Sequence, residues 1–91
     1  MIIPKTDVKI GDLVYLTDTD DVYYKNFIWA ADEKSSVSIY QYVISTEHPF
    51  LILDNYAKIN VIDVPCFKCL HETKGVVYIR INTIRTVDKI G

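Results

Sequence analysis

The chain has 91 residues, of which 49% are hydrophobic and 24% charged, and its formal net charge is −2. This length predicts one compact domain over residues 1–91, without room for a second one there, since domains run from roughly 50 to 200 residues. The balance of apolar and charged residues excludes a disordered tail. Abundant β-branched and aromatic residues favour β-structure.

The sequence predicts a cytoplasmic protein that does not enter a membrane. No apolar run approaches the roughly 20 residues that span a bilayer. The segment from Met1 to Lys5 lacks a basic region followed by a long apolar stretch, so no secretory signal is expected. Cys66 and Cys69 are accordingly expected to be reduced thiols.

A strand is predicted near the start of the chain, after a turn at Gly11 and Asp12. Apolar side chains recur around this turn at period two, which places them on one face. These side chains are Val8, Ile10, Val14 and Leu16. Residues 17–21 are polar and predict a turn, because Asp and Thr side chains hydrogen-bond their own backbone.

The middle of the chain predicts an aromatic hairpin. Residues 22–29 are dense in aromatic side chains, and residues 37–45 alternate as a strand does. Residues 30–36 form a polar break between them, with a single helical turn expected at 30–35. We expect the two flanking segments to pair with each other.

Two strands separated by a turn are predicted next. The continuous apolar run at residues 50–54 is typical of a strand that is buried on both faces. Residues 55–58 predict a turn, and a strand then runs from residue 59 to His71. We expect Pro65 to interrupt or bulge that strand, because proline cannot donate to a ladder.

The end of the chain predicts a hairpin and a closing strand. Gly75 ends a turn at residues 72–75, where a positive φ is expected. Residues 76–80 pair back, residues 81–84 form a 3₁₀ link, and residues 85–90 close the sheet beside the first strand.

Three segments together carry a likeness to a known fold. They are Lys9-Ile-Gly-Asp-Leu-Val14, Phe50-Leu-Ile-Leu-Asp54, and the pair formed by Gly75-Val-Val-Tyr-Ile-Arg80 and Ile84-Arg-Thr-Val-Asp88. The first is similar to the Lys-x-Gly-Asp-x-Val opening of many small barrels, and the order of strands resembles the Src-homology-3-like (SH3-like) barrel. The resemblance covers about residues 8–18 and 50–90. It implies an all-β fold, an SH3-like small barrel of five to six antiparallel strands, with an inserted aromatic hairpin at about residues 19–49.

The composition is also similar to that of small accessory proteins of tailed bacteriophages, which are short and rich in Asp, Tyr, Ile and Lys. This likeness implies a location in the host cytoplasm. It also implies a host protein as target, in the transcription or defence machinery, whose activity is modulated or inhibited. No ligand-binding residue of peptide-binding SH3-like proteins carries over, because their aromatic and acidic loop motif has no match here.

The aromatic insert predicts a non-enzymatic protein-binding module. Tyrosine and tryptophan supply large, rigid contact area and are enriched at interfaces. We expect Phe27 to pack inward and Trp29 to be partly exposed, with an acidic rim that favours a partner with a basic surface. The predicted partner-binding residues are Tyr23, Tyr24, Trp29, Tyr40, Tyr42, Asp20, Asp21, Asp32 and Glu33.

Two alternatives remain open from the residues. The first is a nucleic-acid-binding barrel that uses stacking and charge near the last hairpin, although residues 1–33 carry three basic against seven acidic residues. Its predicted residues are Lys68, Lys74, Tyr78, Arg80 and Arg85. The second is a homo-oligomeric structural component in which exposed aromatic strands pair between copies.

No catalytic or metal site is predicted, and no cofactor is expected. Cys66, Cys69 and His71, with His48 elsewhere, form the one metal-like pattern. In an unbroken strand the two cysteines point to opposite faces, so they would not share a tetrahedral zinc ion. Neither histidine lies in a nucleophile motif, and the three glycines are too far apart to form a phosphate-binding loop.

Overall fold

The structure, a computed structural model, describes residues 1–18, 26–33, 39–59 and 62–91. Over these ranges the backbone forms eight antiparallel strands in one curled, half-barrel sheet. The all-β class predicted from the sequence is therefore confirmed. In the described part of the chain, no helix is long and apolar enough to cross a membrane.

The strand order places the predicted hairpin within the main sheet. The strands are β1 (Ile2–Ile3), β2 (Leu13–Asp18), β3 (Phe27–Glu33), β4 (Ile39–Ser45), β5 (Phe50–Ile59), β6 (Ile62–His71), β7 (Gly75–Arg80) and β8 (Ile84–Lys89). Their order across the sheet is β1-β8-β2-β5-β6-β7-β3-β4. The expected number of five to six strands is wrong, because the short β1 adds to one side of the sheet and β3 and β4 extend the other.

Strands from the two ends of the chain are neighbours, as predicted. Tyr15 of β2 lies opposite Asp88 of β8, and Leu16 lies opposite Val87. These two strands do not form the edges of the sheet, however. Ile2 of β1 also lies opposite Asp88, from the other side of β8, so the edges are β1 and β4.

The inner face of the curled sheet holds the core. Side chains alternate along each strand, so every second residue points inward. Phe50 and Ile52 of β5 and Phe67 of β6 are fully buried there. The other buried members of this cluster are Val8, Val14, Leu16, Ile28, Ala30, Ile44, Cys69, Val77, Ile79, Ile84 and Val87.

The turn before β2 fixes where that strand begins. Gly11 has a φ of 93°, in the left-handed region that glycine tolerates. Its amide donates to the carbonyl of Ile52 (2.8 Å), whose own amide donates to the carbonyl of Asp12 (2.9 Å). The Asp12 carboxylate accepts the Lys9 amide proton at 2.9 Å and lies 3.4 Å from Nζ of Lys89.

The predicted hairpin is present, with different limits. β3 and β4 pair from Phe27 opposite Ser45 to Glu33 opposite Ile39. The helical turn expected from residue 30 is wrong over residues 30–33, which continue β3 because burial of Ala30 and Ala31 in the sheet outweighs their helical propensity. Residues 22–25 and 34–38 of the prediction lie outside the described residues.

The turn expected at residues 55–58 is also wrong. β5 continues to Ile59, and its pairing with β6 shifts register three times, at Ile52/Asp54, Asp54/Ala57 and Ala57/Ile59. Such bulges accommodate turn-forming residues while the strand bends. The run at 50–54 is buried on one face only, since Phe50 and Ile52 are buried but Leu51 and Leu53 are half-buried.

The last third of the chain follows its prediction closely. β6 runs through Pro65, and the bulge expected there is present, since the pairing with β5 shifts register between Ala57 opposite Cys66 and Ile59 opposite Ile62. A turn at residues 72–74 then leads to Gly75, which has a φ of 74°. β7 follows, then a 3₁₀ turn at Ile81–Thr83 and the closing β8. The positive φ and the 3₁₀ link are therefore confirmed.

We expect Asp12→Asn to destabilise the protein near neutral pH and to have little effect in acid. The hydrogen bond from the Lys9 amide, helped by the ammonium group of Lys89, lowers the pKa of Asp12. A carboxyl group with a lowered folded pKa stabilises above its unfolded value of about 3.9, and this contribution is lost as the pH falls through the folded pKa. Urea unfolding at neutral and acid pH measures it.

Asp7→Asn is the control for this experiment, since Asp7 is an exposed aspartate on the 3₁₀ turn Lys5–Asp7. Its substitution is expected to change stability little at either pH. A loss for Asp12→Asn that is the same in acid and at neutral pH would contradict an electrostatic role for the carboxylate.

Candidate functional site

The outer face of β3 presents the one tryptophan of the chain to solvent. Trp29 is 48% exposed, in agreement with the prediction, and Phe27 is 43% exposed. Ile28 and Ala30, which alternate with them, are buried in the core. The inward packing predicted for Phe27 is wrong, because strand alternation places Phe27 and Trp29 on the same face.

β4 extends this exposed surface. Val43 lies opposite Trp29, and Gln41 lies opposite Ala31, so both side chains share the outer face. Val43 and Gln41 are exposed. We call Phe27, Trp29, Gln41 and Val43 together the hairpin face. It is a largely apolar surface on two paired strands.

The other predicted partner-binding residues do not join the hairpin face in the described part of the chain. Tyr42 packs against the core. Asp32 is half-buried, and because it lies three residues after Trp29 on β3, its side chain is on the opposite, inner face. The remaining predicted side chains lie outside the described ones. These are Asp20, Asp21, Tyr23, Tyr24, Glu33 and Tyr40.

A cleft opens beside Trp29. β3 and β7 pair at Ala31 opposite Tyr78. Next to this pair lies a cleft of about 220 Å³, lined in part by Trp29, Tyr78, Arg80 and Thr83. The Thr83 hydroxyl donates to the Arg80 carbonyl at 2.9 Å, which ties the end of β7 to the 3₁₀ turn. The cleft therefore combines an indole, a phenol and a guanidinium group.

The structure brings together three of the five residues predicted to bind nucleic acid. Lys68 lies opposite Tyr78, and Arg80 follows Tyr78 on the same outer face of β7. Lys74 lies in the turn at the other end of β7, and Arg85 lies on β8, four strands away. Among the described residues, neither Lys68 nor Arg80 forms an ion pair.

Sequence reasoning missed a second exposed apolar surface on the outer face. Leu13 lies opposite Leu51, Leu51 opposite Leu70, and Leu70 opposite Val76. The amide of Ile90 donates to the Leu13 carbonyl at 2.9 Å, which extends the line across one more strand. We call these five residues the apolar row.

The apolar row is long for a surface feature. Leu13, Leu70, Val76 and Ile90 are between 38% and 42% exposed. Five neighbouring segments at about 4.8 Å spacing give a row about 19 Å long. Each member is an ordinary apolar strand residue in the sequence, and only the cross-strand register shows that they are aligned. A local signal was nonetheless present. Strand positions that alternate with core positions are usually polar, and here they are apolar.

The two cysteines are buried on opposite faces of β6, in agreement with their spacing. Both are free thiols. Cys69 belongs to the core, whereas Cys66 lies opposite Arg80 on the outer side. Within the described part of the chain, no three His, Cys, Asp or Glu side chains are placed to hold a metal ion.

Both histidines hold turns in place. His71 is buried, and its Nδ1 accepts the Thr73 amide proton at 3.3 Å, so its Nε2 carries the hydrogen that it donates to the Ser45 carbonyl (3.2 Å). Nδ1 of His48 lies 2.9 Å from Oε2 of Glu72. These contacts join the connection after β4 to the turn between β6 and β7.

No protein-family model, curated protein or solved structure matches this chain. Its function is therefore inferred from the geometry and chemistry of the outer face.

We expect neither cysteine to react with iodoacetamide in the folded protein at mildly alkaline pH. Burial raises the pKa of Cys69, and burial also raises that of Cys66 despite the nearby guanidinium of Arg80. The thiolate is the reacting species, so a raised pKa and burial both slow alkylation. Mass spectrometry should find both thiols unmodified in buffer and both modified in urea.

Cys66→Ala and Cys69→Ala assign any adduct that forms. Rapid labelling of either thiol without denaturant would contradict the burial of that side chain.

Proposed function

We propose that the protein is a non-enzymatic binding module that docks on another protein through the outer face of its sheet. The observation that carries this proposal is the exposure of Trp29 and Phe27 on a strand whose alternate residues, Ile28 and Ala30, are buried in the core. Side chains held by a packed strand lose little conformational entropy on binding, so they are efficient anchors.

The composition of the surface around Trp29 supports this function. Tryptophan, tyrosine and arginine dominate the residues whose truncation most weakens protein interfaces. All three types line the cleft, as Trp29, Tyr78 and Arg80. The apolar row adds contact area on the same face of the sheet, and an exposed apolar surface of this extent is typical of an interaction site.

The described charges support a partner that combines apolar and acidic side chains. The expected basic partner depended on an acidic rim, but Asp32 lies on the inner side of β3 and the rest of the rim is outside the described side chains. The charged side chains beside the cleft are instead Arg80 and Lys68. Charge complementarity with these cations favours carboxylates on the partner.

The two resemblances remain parts of the proposal. The pairing of β2 with both β5 and β8, and the 3₁₀ turn before β8, support an SH3-like arrangement of β2 and β5 to β8. Composition alone supports the likeness to phage accessory proteins. On that likeness, the partner is a host protein in transcription or defence whose activity is modulated or inhibited, and binding takes place in the host cytoplasm.

We expect Trp29→Ala to reduce capture of a bacterial partner by about 30-fold, the size that a central interface anchor typically gives. Immobilised wild-type and variant proteins are compared in one lysate by quantitative mass spectrometry. Tyr56→Ala is the matched control, because Tyr56 is an exposed aromatic residue on β5, away from the hairpin face. Its capture should equal that of the wild type.

Circular dichroism of both variants establishes that they fold. Partners captured equally by Trp29→Ala and the wild type would refute docking through the hairpin face.

A second candidate function is binding of single-stranded nucleic acid. The observation that favours it is the placement of Lys68, Tyr78 and Arg80 on one face, with Trp29 and Arg80 lining the same cleft. Stacking on aromatic rings together with cations that follow the phosphates is the usual mode of such binding. The small number of cations predicts weak affinity at physiological salt.

Trp29 emission tests this second candidate, since Trp29 is the only tryptophan of the chain. If a single-stranded oligonucleotide binds, its stacking should quench the emission, and two phosphate contacts predict a log–log salt slope of about −1.4. Lys68→Ala should reduce the slope by about half, and Lys74→Ala, at the other end of β7, should leave it unchanged. Absence of quenching at low salt would exclude this mode.

A further inference from the structure

β4 is a seven-residue strand, and among the described strands it has one neighbour, β3. The amide of Thr46 donates to the carbonyl of Asn26 at 2.9 Å, which continues the ladder between β4 and β3. Hydrogen-bonded pairs in an antiparallel ladder recur every second residue. The backbone groups of Tyr40, Tyr42 and Ile44 therefore point toward β3, and those of the residues between them point away from the sheet.

The outward-pointing backbone groups belong to Ile39, Gln41, Val43 and Ser45. In the described part of the chain, the amides and carbonyls of Gln41 and Val43 have no hydrogen-bond partner. The Ser45 carbonyl accepts a hydrogen bond from His71, so Ser45 offers its amide alone. β4 thus presents an incomplete ladder at the edge of the sheet.

Nothing in the sequence of β4 protects this edge. Residues 39–45 contain no charge, no proline and no glycine, and they are β-branched, aromatic or polar. Proteins that keep an edge strand unpaired normally shorten it or place lysine or proline in it. The opposite edge follows that rule, since β1 has two residues and is followed by Pro4.

We propose that β4 pairs antiparallel with β4 of a second copy of this chain, in a register centred on Tyr42. This register places Gln41 opposite Val43 of the second copy, and Ile39 opposite Ser45 of the second copy. Every residue that points its backbone groups outward then faces another such residue. The strand is self-complementary, because the two-fold axis at Tyr42 maps the outward positions onto one another.

The absence of charge in β4 favours a second copy as the occupant. In this register the residues on either side of Tyr42 lie diagonally across the two-fold axis from their own symmetry mates, so a single charge at position 41 or 43 would repel its mate. β4 avoids that repulsion. On the outer face, Trp29 and Val43 of one copy continue into Gln41 and Ala31 of the second copy, since each pair lies directly opposite in β3 and β4.

Hydrogen exchange tests the pairing at single residues. In the dimer, the amides of Gln41 and Val43 should become protected as protein concentration rises, while those of Tyr42 and Ile44, already bonded to β3, should change little. Sedimentation equilibrium should show a concentration-dependent rise from the 10.5 kDa of one chain toward twice that mass. A wild type that stays monomeric up to millimolar concentration would overturn the proposal.

Charged substitutions test the register. Val43→Lys and Gln41→Glu each place like charges close together across the two-fold axis, and each is expected to raise the dimer dissociation constant about tenfold. An equal mixture of the two variants should form a heterodimer, because the carboxylate introduced at position 41 of one copy then lies opposite the ammonium group introduced at position 43 of the other. A variant that carries both substitutions should regain affinity, because both cross-strand pairs then become complementary.

Val43→Pro tests the backbone separately from charge. The Val43 amide points away from β3, so proline there removes an intermolecular hydrogen bond and leaves the ladder with β3 intact. If Val43→Pro and Val43→Lys both dimerise as tightly as the wild type, the β4 interface is overturned. Protection of Gln41 and Val43 that appears only when a foreign peptide is added would assign the edge to that peptide and also overturn the proposal.

Discussion

A single sheet that no described α-helix covers must bury its own inner face, and this constraint governs the structure. Phe50, Phe67, Leu16 and Ile28 come from four different strands and meet in one core because the sheet curls around them. A flat sheet of the same sequence would leave these side chains in water on one side, since no second layer is described to cover them. Because the sheet curls, its own strands face one another across the core and cover these side chains. The outer face is covered only in part, where Ala31 and Ile59 are buried against Val64 and Tyr78. Phe27, Trp29, Val43 and the apolar row remain exposed on it.

The curl also accounts for the irregular features around the candidate site. β5 bends through three register shifts, and bulges of this kind increase the local twist. β3 joins β7 at the single pair of Ala31 and Tyr78, so the two strands diverge and leave the cleft beside Trp29. A regular, fully paired ladder at this point would bring the Arg80 backbone against β3. The cleft is therefore a consequence of how the hairpin joins the curled sheet, and it exposes a ring and a cation side by side.

The sequence was sufficient where the signal is local and insufficient where it depends on a partner strand. The turns at Gly11 and Gly75 and the 3₁₀ link before β8 were predictable, because positive φ and short polar breaks have their own residue preferences. The orientation of Phe27 was not, since an aromatic residue suits either face and the register with β4 and β7 decides which one is buried. The apolar row was hidden for the same reason. Cations that looked equivalent in sequence, Lys74 and Arg80, lie at opposite ends of β7, so chain proximity was a poor guide to a shared surface.

The two uses inferred for the hairpin of β3 and β4 involve different atoms and do not compete. Docking on a partner uses side chains that project from the outer face, chiefly Trp29 and Val43, whereas pairing with a second copy uses amides and carbonyls that lie in the plane of the sheet. Pairing would therefore place two hairpin faces on the same side of one continuous sheet, rotated by the usual twist of about 20 to 25° per strand. A partner with two binding sites would then be held by both faces, and the second contact would form at the high effective concentration that a fixed geometry provides. Dimerisation through the uncharged edge strand β4 would in this way let two weak contacts, one at each hairpin face, hold a partner more tightly than either does alone.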